Sequence, residues 1–178
     1  MTYNNKSFYN DLSLQRNFLF YENLTTVLIL KSFRKFNLLT LQIGPFKKGE
    51  KIKIKIWIAI ILEDSNLCKI QNPNWLKTEW LEKKILLEKK TPLLQNLPYF
   101  YRELSFLSFQ KKKNSNFLFI KEISLIEEIF SIRSLKLWNG IQIIKNKINA
   151  LKFDKIGAME FLNIKKTIQF FLYFLCLF

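Results

Sequence analysis

Residues 51–62 read KIKIKIWIAIIL and mark a change from one type of secondary structure to another. In the first half of this stretch, Ile52, Ile54 and Ile56 alternate strictly with three lysines. Successive side chains of a strand point to opposite faces, so the alternation predicts a strand with one buried and one solvated face. Residues 57–62 are wholly apolar, which favours a short buried helix over a continued strand.

The residues before this stretch predict further strands and a turn. Leu24 to Leu30 and Leu38 to Ile43 are strand-like runs, and the second run ends at Gly44-Pro45-Phe46, a turn signal. We expect the turn to place Phe46 on apolar neighbours. We also expect Trp57 to be buried near the junction of two domains.

After Pro73 the apolar residues recur at helical spacing, every three or four positions. Asn74 is a candidate cap for the first helix, because its side chain can accept a hydrogen bond from the first turn. The predicted buried stripe of this helix consists of Leu76, Trp80 and Leu87, with Leu81 and Ile85 beside it.

Three further helices are predicted to start near Pro98, Lys121 and Ile156, with a polar loop at Lys111–Asn116. One side of the longest helix is formed by Ile126, Ile129, Phe130, Arg133, Leu137 and Ile141. The sequence therefore predicts an α+β protein: a small N-terminal β-rich domain (residues 1–66) followed by a larger all-α helical domain (residues 67–178).

The predicted helices carry more aromatic surface than a bundle of this size is expected to bury. The residues concerned are Trp75, Trp80, Phe100, Tyr101, Phe106 and Phe109. Excess apolar surface of this kind marks a partner interface. The candidate residues for a domain joint or subunit interface are Gly44, Pro45, Phe46, Trp57, Trp75, Trp80, Tyr101, Phe170 and Phe174.

The composition argues against catalysis. The chain has no His, which removes the usual general base and the commonest metal ligand. Cys68 and Cys176 lie too far apart in sequence for a paired-cysteine zinc motif, and the four glycines form no phosphate-binding loop. The carboxylate pairs Glu63-Asp64 and Glu127-Glu128 are adjacent residues, which on a helix point in different directions. We expect no enzymatic activity, metal or cofactor.

Two alternative functions remain open at this point. The net charge of +15 suggests a nucleic-acid-binding protein, although only 4 of the 29 basic residues are Arg and an AT-rich genome favours Lys. The apolar run from Ile168 to Phe178 suggests attachment to a membrane. That run is too short to span a bilayer as a helix, so a buried last helix is the preferred interpretation.

Several short blocks lie in the order and at the spacing of a known family's motifs. They are GPFKKG at 44–49, IWIA at 56–59, Cys68, Pro73 with Trp75-Leu76, PYFY at 98–101 with Glu103-Leu104, IRSL at 132–135, and Met159-Glu160 with Asn163. Upstream, Phe18, Glu22, Thr26 and Phe33 continue the pattern. Together they resemble the Psf-two family of GINS subunits, although Lys48 and Lys55 stand where that family usually has Pro.

The resemblance implies a non-catalytic subunit of a heterotetramer with Sld-five, Psf-one and Psf-three. In that family a small β-rich domain precedes a helical one. The assembly joins the Cdc-forty-five factor and the MCM ring in the replicative helicase, which supports initiation and elongation of DNA replication in the nucleus. The resemblance implies no cofactor, no membrane contact and only indirect contact with DNA.

Overall fold

The computed structural model describes residues 14–38, 41–110, 120–144 and 154–175. The chain divides into two compact units, residues 1–73 and 74–178. The first unit contains the strands and the second is helical, which confirms the predicted α+β class. The predicted loop Lys111–Asn116 lies outside the described residues.

In its described residues the first unit combines short strands with two helices. In chain order it contains α1 (residues 14–21), β1 (Leu24–Ile29), β2 (Phe36–Asn37), β3 (Gln42–Ile43), β4 (Lys51–Lys55), α2 (Ile56–Asp64) and β5 (Cys68–Ile70). Strands β4, β1 and β5 form an antiparallel sheet in that order. Strand β5 lies beyond the predicted domain boundary at 66/67, yet it pairs with β1, so the first unit extends to Pro73.

Helix α2 packs on one face of this sheet, as the apolar run at 57–62 predicted. The shared core consists of Val27, Ile29, Ile43, Ile58, Ala59, Leu62 and Cys68. Ile52 and Ile54 pack against this core, whereas Lys51 and Lys53 are exposed. The helix ends before Asn66, which has a φ of 55°. Asparagine tolerates this left-handed conformation better than most residues, so it suits a helix end.

The predicted strand from Leu38 to Ile43 is wrong. The structure instead pairs β2 with β3 in a separate small sheet, with Phe36 opposite Ile43. Of the four residues of this run that the structure describes, Gln42–Ile43 are strand and Leu38 and Leu41 are not. Ile43 is buried and Gln42 is exposed. A two-residue extended segment is enough to place the Ile43 side chain in the core, so the strand is short.

The second unit begins with a 3-10 turn and continues as four helices in the ranges that the structure describes. They are α3 (Thr78–Lys90), α4 (Tyr101–Gln110), α5 (Ile120–Ile144) and α6 (Ala158–Leu175), after the turn at Asn74–Leu76. The core comprises Leu76, Leu81, Ile85, Tyr101, Ile126 and Ile129. None of the helices in the described ranges is both long enough and apolar enough to cross a membrane.

The predicted start and stripe of the first helix of this unit need correction. Asn74 lies in the 3-10 turn, and the residue before α3 is Lys77, whose side chain makes no capping hydrogen bond. The buried face of α3 contains Leu81, Ile85 and Glu88, whereas Leu87 is 44% exposed. The buried face therefore includes a carboxylate that the predicted apolar stripe did not contain.

Candidate subunit interface

The Gly44-Pro45-Phe46 turn places an aromatic ring on the core of the first unit. Gly44 has a φ of 87°, a left-handed conformation that favours glycine, and its peptide bond to Pro45 is cis. The backbone groups of Phe46 and Phe33 exchange two hydrogen bonds of 3.2 Å. Their rings meet edge to face with centroids 5.4 Å apart. Pro45 itself is exposed.

Trp57 lies on α2 and is half-buried against the same core. Its indole Nε1 donates a hydrogen bond of 3.1 Å to Glu22 Oε1. Lys55 donates to the other oxygen of the same carboxylate. Glu22 therefore connects the segment before β1 to the start of α2. Glu22 and Trp57 both belong to the motif blocks, but they are 35 residues apart, and the sequence alone did not indicate their contact.

Trp57→Phe should lower the free energy of unfolding by about 1–2 kcal/mol, because it leaves a partly buried carboxylate with one fewer donor. Urea unfolding followed by circular dichroism measures the change. A matched Glu22→Gln variant and the double variant complete a double-mutant cycle, which measures the interaction energy between the two side chains. Strictly additive effects of the two changes would contradict a direct Trp57–Glu22 interaction.

The aromatic residues of the second unit mostly belong to its own core. Phe100 and Tyr101 are buried, while Trp75, Trp80 and Phe109 are half-buried and pack against the core. Phe106, at 54% exposure, is largely open to solvent, and among the other described aromatic residues of this unit Tyr99, Phe161 and Trp138 are 51%, 45% and 42% exposed. Of the six aromatic residues named from the sequence, five are therefore buried or half-buried within the unit, and a role for Trp75, Trp80 or Tyr101 at an interface stays a prediction.

An apolar cleft lies between α5 and α6. Its volume is about 510 Å³. Leu135 and Trp138 line it and are 61% and 42% exposed, with Phe130, Ile141 and Ile164 beside them. Ser131, Ser134 and Thr167 also line it. The small side chains leave space for another helix or strand, and burial of the large exposed apolar side chains would favour its binding.

One wall of the cleft is fixed by a buried guanidinium. Arg133 lies on α5 and is 0% exposed. Its Nε and Nη2 donate to the two oxygens of Glu160 over 2.6 and 2.9 Å. Its Nη1 donates to Glu88 Oε1 over 2.6 Å and to the carbonyl of Gln95 over 2.9 Å, and Nη2 also donates to the carbonyl of Lys155 over 2.6 Å. All five N–H donors of the arginine therefore have an acceptor.

The two carboxylates in contact with Arg133 are also fully engaged. Glu160 accepts hydrogen bonds from the Tyr101 hydroxyl at 2.7 Å and from the backbone of Gly157 at 2.8 Å. Glu88 accepts from Lys136 and from the backbone of Gln95. This set of contacts, the Arg133 network, joins α3, α4, α5 and the start of α6.

The pKa values of the network follow from burial and these contacts. Burial raises the pKa of the Tyr101 hydroxyl, and the negative charge of Glu160 raises it further. Burial alone would raise the pKa of Glu88, but hydrogen bonds from Lys136, Gln95 and Arg133 outweigh it and hold that pKa below its usual value. Burial likewise opposes the charge of Arg133, but Glu160 and Glu88 outweigh it and raise the Arg133 pKa.

Sequence reasoning missed the Arg133 network, although the positions of its charged residues were a signal that could have indicated it. Glu88 lies on the buried face of α3, and Arg133 lies on the apolar side of α5. Two opposite charges, each on the apolar face of its own helix, would indicate a buried pair. The candidate residues Phe170 and Phe174 belong to α6, but their side chains lie outside the described residues.

Comparison with known proteins identifies the class of protein. The family model described as the PSF2 N-terminal domain matches residues 14–71. The "Probable DNA replication complex GINS protein PSF2" of Encephalitozoon cuniculi is 30% identical over 152 residues, covering 83% of each chain. The human "DNA replication complex GINS protein PSF2" is 27% identical over 146 residues, covering 80% of this chain and 78% of the human one.

A third relative, the "Probable DNA replication complex GINS protein PSF2" of Caenorhabditis elegans, is 25% identical over 138 residues, or 76% of this chain and 77% of its own. These matches extend from the β-rich unit well into the helical one. They place the chain among the DNA replication complex GINS proteins. Within that class the chain belongs to the PSF2 family, which confirms the resemblance found in its sequence motifs.

Proposed function

We propose that this chain is the non-catalytic PSF2-type subunit of a heterotetrameric GINS complex with Sld-five, Psf-one and Psf-three. In this role it supports initiation and elongation of DNA replication in the nucleus, as part of the replicative helicase with the Cdc-forty-five factor and the MCM ring. Among its structural features, the exposed apolar cleft between α5 and α6 supports the proposal most directly.

The cleft has the chemistry of a helix-binding groove. An amphipathic helix binds such a groove by inserting apolar side chains at helical spacing. Leu135 and Trp138 are three positions apart on α5 and provide a large apolar contact. The Arg133 network fixes α5 against the start of α6, so the groove walls need little ordering when a partner helix binds.

A second patch borders the same cleft. The Arg102 guanidinium lies 3.9 Å from the ring centroid of Phe130 and 5.7 Å from that of the exposed Phe106. Arg102 also donates both Nε and Nη2 hydrogen bonds to Glu127, another residue of the cleft. Arg and aromatic residues are enriched at the energetic centres of interfaces, so we include this patch in the proposed subunit contact.

The remaining candidate residues receive different roles. We propose that Gly44, Pro45, Phe46 and Trp57 shape the surface of the β-rich unit at the domain joint. We propose that Trp75, Trp80 and Tyr101 act indirectly, because they support the helices that form the cleft. For Phe170 and Phe174 the proposal is a contact with a sister subunit.

Co-expression with the three sister subunits tests the proposal. The wild-type chain should co-purify with them in equimolar amounts, whereas the chain expressed alone should be poorly soluble. Leu135→Asp combined with Trp138→Asp should reduce recovery of the complex by at least about tenfold, because it buries two unpaired charges at the contact.

Ile61→Asp is the matched control. Ile61 is also a large exposed apolar residue, at 56%, but it lies on α2 of the β-rich unit. This variant should assemble as the wild-type chain does. Failure of the wild-type chain to co-purify with any sister subunit would refute the proposed function. Normal assembly of the double variant would show that the cleft is not the contact.

A further inference from the structure

The second face of the three-stranded sheet is basic, and none of the strand positions that form it is acidic. The residues that point to the side opposite α2 are Leu24, Thr26, Leu28, Lys51, Lys53, Lys55 and Lys69. We call these positions the lysine face. Lys55 is neutralised by Glu22. Lys51, Lys53 and Lys69 are exposed and have no ion-pair partner among the residues that the structure describes.

The register fixes how the three free lysines are arranged. Leu28 lies opposite Lys51 on one side and Lys69 on the other, and Thr26 lies opposite Lys53. Neighbouring strands are about 4.8 Å apart and alternate residues about 6.8 Å apart. The α-carbons of Lys51 and Lys53 are therefore about 7 Å apart, and those of Lys51 and Lys69 about 10 Å apart.

We propose that the lysine face is a binding site for the phosphate backbone of DNA. It presents three positive charges with α-carbons about 7 to 10 Å apart on one side of a sheet, and a phosphate backbone presents a similarly close row of negative charges. This site would give the chain a direct contact with DNA, in addition to its proposed role in subunit assembly.

The composition of the face favours a nucleic acid over an acidic protein segment. Protein interfaces depend on apolar or aromatic anchors that fill pockets. The centre of the lysine face holds Thr26 and the half-buried Leu28, and the exposed Leu24 lies further along β1, opposite the neutralised Lys55. The free charges therefore surround no apolar pocket.

The same composition predicts how DNA binds. None of the face positions is an Arg or an aromatic residue, so the site offers neither the bidentate reading of guanine nor stacking on bases. Binding should be independent of sequence and sensitive to salt. Three neutralised phosphates contribute a slope of about −2.7 to log K against log salt for duplex DNA, and about −2.1 for a single strand.

The test uses the full-length chain, purified together with the subunits that keep it soluble. Fluorescence anisotropy is measured with a labelled single strand and with the matching duplex, between about 50 and 200 mM salt. The variant Lys51→Glu, Lys53→Glu, Lys69→Glu should weaken binding at least about tenfold at the lowest salt. It should also reduce the salt slope by about 2 to 3. The slope lost in the variant, divided by about 0.9 for the duplex and by about 0.7 for the single strand, gives the number of phosphates that the face contacts in each form of DNA.

A control variant carries the same change in net charge on the other unit. Lys77, Lys83 and Lys90 are exposed on or beside α3, and their replacement by Glu should change affinity less than about threefold. The neutral variant Lys51→Gln, Lys53→Gln, Lys69→Gln should also bind weakly, and it avoids introducing repulsion within the sheet. Circular dichroism verifies that each variant is folded.

Equal losses in the two charge-reversed variants would overturn the proposal, because overall charge rather than the lysine face would then drive binding. Unchanged binding by both sheet-face variants would overturn it as well. Complete competition by poly-glutamate at matched charge concentration would instead assign the face to an acidic protein partner.

Discussion

Arg133→Met is expected to destabilise the helical unit by about 3–5 kcal/mol. The substitution leaves Glu88 and Glu160 buried without their shared cation, and removal of one member of a buried ion pair typically costs this much. Arg133→Lys should also be destabilising, because a lysine has three donors where the arginine uses five. Denaturant unfolding followed by circular dichroism measures the loss, which should appear in the helical signal.

Arg102→Met provides the matched control. Arg102 also binds a carboxylate, that of Glu127, but the Glu127 side chain is 42% exposed. Surface pairs of this kind contribute about 0–1 kcal/mol, so the control should lose little stability. Adding Glu88→Gln and Glu160→Gln to Arg133→Met should recover part of the loss, since the orphaned charges are removed. An Arg133→Met protein within about 1 kcal/mol of the wild-type stability would disprove this account.

The architecture was largely predictable because each unit has a clear apolar period. The alternation at 51–56 identified β4 and its buried face, and the apolar run that follows identified α2. The period of three to four residues located α3, α5 and α6 to within a few positions. Periodicity succeeds here because burial of one face is the dominant stabilising contribution in both kinds of element.

The errors arose where polar groups or pairing partners determine the structure. Leu87 was assigned to the buried face but is 44% exposed, whereas its neighbour Glu88, which was not included in that face, is fully buried. The buried carboxylate of Glu88 is in contact with Arg133, Lys136 and Gln95. Those partners lie on other elements, so no local pattern contains them.

The candidate site was predicted less well than the fold, for a related reason. Aromatic residues were counted as excess surface. Tyr101, however, is buried, and its hydroxyl donates a hydrogen bond to Glu160, 59 residues away in sequence. The exposed pair Leu135 and Trp138 lies outside the main buried stripe of α5, and only the position of α6 turns it into a cleft. Surface concavity depends on how helices pack, which sequence periodicity does not encode.

Gly157→Ala should destabilise the helical unit by about 1–3 kcal/mol, although alanine is normally the better residue near a helix. A Cβ at Gly157 would lie 2.8 Å from Cε1 of the Tyr101 ring and 3.4 Å from Glu160 Oε2. The ring has little freedom to move, because Tyr101 is buried and its hydroxyl donates to Glu160. Gly157 does not have a positive φ, so the penalty is steric rather than conformational.

Gly140→Ala is the control with the opposite expected sign. Gly140 lies within α5, and a Cβ there would meet nothing within 4 Å. Alanine at such a position should stabilise the protein by about 0.5–1 kcal/mol, because the unfolded chain loses less conformational freedom on folding. Thermal unfolding of the two variants, measured side by side, should therefore move the midpoint in opposite directions. If both variants stabilise the protein, the close packing of Tyr101, Gly157 and Glu160 is wrong, and the start of α6 does not have the position that holds Glu160 against Arg133.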